Sequence, residues 1–184
     1  MKGRLAIAAI AMGIVGLAGC KKKGSAPPVA ARATLSDSAE QVLVNTHSLL
    51  TNNGVQRGEM FADTVFVFDD NTRFEMRKLR VTFNSVTGAK DGVMSADRGR
   101  YNLRQQVLEG FGNVIVVTND GRRLTSPQLR YMQGLNEVSS DTSFVLVRPG
   151  QTVSGIGFKS DPQLTHFTIK RGAKGTGSFL LPGQ

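Results

Sequence analysis

Ser95-Ala96-Asp97-Arg98-Gly99-Arg100-Tyr101 opens the stretch that decides the fold, and Leu108-Glu109-Gly110-Phe111-Gly112-Asn113-Val114-Ile115-Val116-Val117 continues it. Asn119-Asp120-Gly121 follows, then Leu124-Thr125-Ser126-Pro127-Gln128-Leu129-Arg130-Tyr131, Ser143-Phe144-Val145-Leu146-Val147 and Val153-Ser154-Gly155-Ile156-Gly157-Phe158. Short apolar runs alternate with polar turns, and no amphipathic helix interrupts them. That is the pattern of consecutive antiparallel strands joined by hairpins. Asp120-Gly121 is expected to supply the positive φ of a primed two-residue turn.

A repeat lies inside this stretch. Ala96 and Tyr101 recur as Ser126 and Tyr131 at an offset of 30 residues, and Ala62 with Val67 is a weaker copy at an offset of 34. Each copy is a small residue followed by a large apolar one. Repeats of this period stack one supersecondary unit on the next, here a strand pair.

Outward from that stretch the same grammar holds. Gln41 to Val44 reads as a first strand, Asn52-Asn53-Gly54 as a turn, and Thr64 to Phe68 as a strongly β-prone run before the turn at Asp69-Asp70-Asn71. Arg73 to Asn84 is a longer strand whose apolar phase slips near Arg77-Lys78, which predicts a bulge. Leu164, Phe167 and Ile169 mark a last strand, and the Gly- and Lys-rich end reads as a loose tail. The count is about ten strands or more, with essentially no helix after the N-terminal segment.

The start of the chain is of another kind. Lys2 and Arg4 precede an apolar run from Leu5 to Leu17, too short for a membrane span, and Leu17-Ala18-Gly19-Cys20 follows. This resembles the lipobox of bacterial lipoproteins, in which the cysteine is acylated and becomes the first mature residue. Cys20 is the one cysteine, so an intramolecular disulfide is excluded. The expected organisation is a signal peptide over 1–19, a lipidated tether over 20–36, an all-β domain over 37–172 and a flexible tail over 173–184. Lys21, Lys22 and Lys23 would lie beside anionic headgroups.

The formal net charge is +9, and loss of Lys2 and Arg4 with the leader makes it +7. Basic charge suits nucleic acid, an anionic membrane or an anionic lipid. Export of a lipoprotein turns the expectation away from nucleic acid and toward lipid. His47 and His166 have no partners at metal-ligand spacing, and no nucleophile elbow, phosphate loop or dinucleotide fingerprint appears. The reading is therefore of a non-enzyme, with no catalytic residue, metal or cofactor.

Taken together, the series Ala96, Tyr101, Gly112-Asn113-Val114, Asp120-Gly121, Leu124, Leu129, Tyr131, Val145, Val147, Gly150, Val153, Gly155 and Gly157 resembles the LptC family of lipopolysaccharide export proteins, of the wider OstA-like class. The resemblance covers about residues 40 to 172. It implies an open antiparallel β-jellyroll with a V-shaped slot. It also implies a periplasmic, inner-membrane-attached component that takes lipopolysaccharide from the LptF and LptG subunits of an ABC transporter and hands it to an LptA-like bridge protein. Familiar members carry an N-terminal transmembrane helix where this chain has a lipobox-like segment. Two other functions stay open: a bridge protein of the LptA type, and a structural or assembly lipoprotein with a closed core.

One face of each strand can line an interior. The expected lipid-lining set is Val67, Tyr101, Val114, Val116, Leu129, Tyr131, Val145, Val147, Val153, Phe167 and Ile169, with Gly112, Gly155 and Gly157 as points of close backbone approach.

Overall fold

The computed structural model describes residues 34–85 and 87–177. Cys20, the leader, most of the tether and the last residues of the tail lie outside the described residues.

Nine strands form one sheet in the order of the chain, β1 to β9, each antiparallel to the next. They are β1 (Gln41–Asn52), β2 (Val55–Phe68), β3 (Arg73–Asn84), β4 (Lys90–Asn102), β5 (Val107–Thr118), β6 (Arg123–Met132), β7 (Glu137–Arg148), β8 (Gln151–Ser160) and β9 (Thr168–Gly177). β1 and β9 are free edges, so the sheet is open. This is the all-β, unclosed antiparallel architecture expected from the hairpin pattern.

Several local expectations need correcting. The strands number nine, and the residues between the Asn52-Asn53-Gly54 turn and Asp69 form one continuous strand, β2. A four-residue helix, α1 (Leu35–Ser38), precedes β1, and a 3-10 turn, Gln133–Leu135, follows β6. Leu164 and Phe167 lie in the loop before β9, which runs on to Gly177 and so past the expected start of the tail. The turn at Asp120-Gly121 is not primed: only Gly121 has positive φ, 84°. Gly121 N–H donates to Thr118 O and Thr118 N–H donates to Arg122 O, so the loop is a type I turn closed by a glycine bulge. Asn53-Gly54 does have two positive φ values, 50° and 76°, as a primed turn requires.

The slip foreseen at Arg77-Lys78 is real and general. Lys78 has φ 50°, and the β3–β4 ladder passes from Arg77↔Arg98 to Leu79↔Ala96 with no pair between. The other pairings lapse at the same level. Val44↔Thr64 is followed by Thr46↔Ala62, Ser95↔Ile115 by Arg98↔Phe111, Phe111↔Gln128 by Val114↔Ser126, and Ser140↔Phe158 by Ser143↔Ile156. Positive φ at Asn45, Gly112, Asn113, Gly157 and Gly172 marks the same line. A bulge bends its strand and sharpens its twist. A row of them folds the whole sheet, so the halves of the strands face each other across an apolar interior.

The repeat now has its meaning. Ala62, Ala96 and Ser126 are buried beside the bend on β2, β4 and β6, and Val67, Tyr101 and Tyr131 are buried farther along the same strands. Room is short there: a Cβ on Gly110 would sit 3.2 Å from the Ala96 Cβ.

An apolar slot with one open mouth

Of the expected lining set, Val67, Tyr101, Val114, Val116, Leu129 and Tyr131 join one buried cluster with Val81, Phe83, Met94, Leu108, Leu124, Val138 and Leu146. Phe167 and Ile169 pack against it half-buried, and Val153 is half-buried on β8. Val145 and Val147 are 41% and 42% exposed, on the outer face. The inward residues of that part of β7 are Phe144 and Leu146, in phase with buried Val138 and Ser140 on the other side of the irregularity between Ser140 and Ser143.

The glycines divide as well. A Cβ on Gly155 would stand 2.9 Å from Ile169 and 3.0 Å from the Arg171 carbonyl, so close backbone approach is enforced there. Gly112 and Gly157 have φ 73° and 72°, and their Cβ atoms would press on Asp97 and Lys170 on the outer side of the bend. Those two serve the bend more than the interior.

Opposite walls of the slot meet through aromatic rings. Phe83 of β3 stands edge-on to Tyr131 of β6 at 4.9 Å. Sequence reasoning missed Gln133, 2% exposed, whose Nε2 donates to Thr51 O at 2.5 Å and whose Oε1 accepts from Tyr101 OH at 3.1 Å. Asn52 Nδ2 donates to Gln133 O, so the 3-10 turn closes onto the end of β1. On the other side Gln163 Nε2 donates to Asp91 and Arg122 donates to Gln163 O at 2.9 Å. Burial pushes the Tyr131 phenol up to about 12 and raises that of Tyr101 as well, so both remain hydroxyl donors.

The slot is not equally filled along its length. Beyond β1 a cleft of about 350 Å³ opens between Leu43, Leu50, Met60, Val65, Phe74 and Tyr101, with Leu103 at its lip. At the β9 end Phe144, Phe158 and Phe167 stack within 5.2 Å of one another, and Leu164 is fully buried. Leu164 holds φ 58°, strained for a leucine, and its N–H donates to Asp161 O. The chemistry on offer is apolar solvation. Among the described residues no group of three or more His, Cys, Asp or Glu side chains is placed to hold a metal ion.

A protein family described as lipopolysaccharide-assembly, LptC-related, matches residues 5–177. No curated protein matches. Among solved structures the chain is similar to the crystal structure of LptH, the LptA-homologous periplasmic component of the lipopolysaccharide transport device of Pseudomonas aeruginosa. That similarity has a TM-score of 0.51 at 14% identity, covering 62% of this chain and 82% of LptH. At that identity the likeness is one of fold: a β-jellyroll.

Proposed function

We propose that this chain, which belongs to the LptC-related lipopolysaccharide-assembly family, is a non-enzymatic periplasmic carrier that shelters the acyl chains of lipopolysaccharide in its slot. The observation that carries the reading is the cleft at the β1 end, an apolar opening that leads onto the buried cluster. Each buried CH₂ contributes about 0.8 kcal/mol, so a few acyl chains supply ample affinity without chemistry.

Cys20 anchors the protein to the inner membrane by an acyl group. The free edge of β1 receives the transporter's LptF and LptG subunits, and the free edge of β9 receives an LptA-like bridge. Edge strands carry unpaired N–H and C=O groups and accept another strand readily. Docking at both edges would align three slots into one apolar path.

A photo-crosslinking residue at Leu43 or Phe74 is expected to capture lipopolysaccharide in cells, and one at Val145 or Val147 is not. Equal capture at Val145, or none at the cleft while export runs, overturns the carrier reading. Labelled palmitate should mark the wild type and not Cys20→Ala; labelling of both removes the anchor.

A further inference from the structure

Two rows of side chains cross the outer face of β1 to β6, one register step apart, and they are charged on opposite plans. The first runs Val42, Phe66, Glu75, Arg100, Glu109, Arg130. Its signs alternate, and its ions pair: Arg100 with Glu75 at 2.7 Å, and Arg130 with Glu109 at 2.9 Å. The second runs Val44, Thr64, Arg77, Arg98, Phe111. Here two arginines stand directly opposite each other. Like charges in that position destabilise a sheet.

Neither arginine of the pair forms an ion pair among the described residues; the nearby carboxylate of Glu75 is taken by Arg73 and Arg100. Arg77 lies over the Phe66 ring at 5.3 Å, which positions the guanidinium without neutralising it. A cleft of about 490 Å³ spans the pair, lined also by Leu35, Glu75, Met76, Arg100 and Phe111. Leu35, Val42 and Val44 are exposed beside it, Val44 by 67%. Unpaired cations among exposed aliphatic side chains complement a surface that is anionic above and apolar below.

We propose that this face docks on a membrane, with Arg77 and Arg98 taking the phosphate of an anionic phospholipid headgroup and Leu35, Val42 and Val44 resting at the headgroup boundary. The chain outside the described residues points the same way. It enters at α1, whose Leu35 lines the cleft. Residues 21–33 reach at most about 45 Å, so a chain held at Cys20 keeps α1 within that distance of the bilayer. That last argument rests on the proposed anchor; the charge argument does not.

The test uses the mature chain, residues 20–184, made without the leader and with Cys20→Ala so that neither leader nor acyl group plays a part, and co-sedimentation with phosphatidylcholine vesicles with and without phosphatidylglycerol. Arg77→Glu completes the sign alternation opposite Arg98, so its melting temperature should equal or exceed that of the parent. Its partition onto anionic vesicles should fall roughly tenfold or more. Lys174→Glu on β9 makes the same change of net charge elsewhere and should cost less than about threefold. Vesicles without phosphatidylglycerol should bind neither. Unchanged binding by Arg77→Glu, or equal losses in the two variants, overturns the proposal whatever becomes of the carrier reading.

Discussion

At the β1 end of the slot the inward residues Leu50, Met60 and Val65 leave a cleft of about 350 Å³, and unbranched methionine among them adapts to irregular space. At the β9 end Phe144, Phe158 and Phe167 fill the space with rings held 4.9 to 5.2 Å apart. The free edges differ in the same sense. β1 exposes Val42, Val44 and Leu49, whereas β9 is built of Thr, Lys, Arg and Gly around Ile169. The two ends share one strand plan and are packed differently: an open apolar cleft at one, and a filled aromatic cluster beside a basic edge at the other.

The sharpest way to break this contrast is to empty each end in turn. Phe158→Ala should lower unfolding free energy by about 3–5 kcal/mol, since Phe144 and Phe167 both lose a fully buried ring neighbour. Met60→Ala beside the open cleft should cost only about 2 kcal/mol, because its surroundings can collapse. Urea melts of both variants measure the difference, and equal losses would erase the distinction between the ends.

A second pair tests which face of β7 belongs to the aromatic end. Leu146→Ala should cost about 2–4 kcal/mol and Val147→Ala no more than about 0.5, read from the same melts.

The smallest effect concerns the loop that delivers Leu164 into the aromatic end. Burial raises the Asp161 carboxyl, but hydrogen bonds from Thr165 and His166 outweigh it and hold it at about 2. A carboxyl depressed below its unfolded value of about 3.9 contributes stability above that pH, and loses it as pH falls toward 2. Part of the site faces water, so the contribution is screened to under about 1 kcal/mol. Asp161→Asn should flatten the stability profile between pH 4 and about 2 relative to wild type.

Much of the fold was legible because turns and strands announce themselves locally. Asn53-Gly54, the phase slip at Lys78 and the small-then-large repeat all follow from neighbours in sequence. What failed was the phase of β7. Val145-Leu146-Val147 is apolar on both faces, and Val117 and Ile156 are likewise exposed nearby, so alternation carries no sign of which side is inward. The buried residues Val138, Ser140, Phe144 and Leu146 keep one phase along the strand, but the polar run Ser139 to Ser143 between its apolar parts marks no face. Gln133 was beyond reach for another reason: its partners Thr51 and Asn52 are some 80 residues earlier, and nothing local marks a glutamine in a turn as buried. β9 was hidden by its composition, since a Gly- and Lys-rich segment becomes a strand only through its pairing with β8.

The aligned lapses in the ladders give the sheet a crease. Along that line the rungs between strands are already missing, so the two panels can swing about it while every bond within each panel stays made. The widening is least at the crease and greatest at the far rims, where the panels are latched. Those latches are few: Gln133 with Thr51 and Asn52 on one side, Gln163 with Asp91 and Arg122 on the other. Opening along the crease would part those amides and the apolar contacts between the panels, Phe83 with Tyr131 among them, and would unravel no strand.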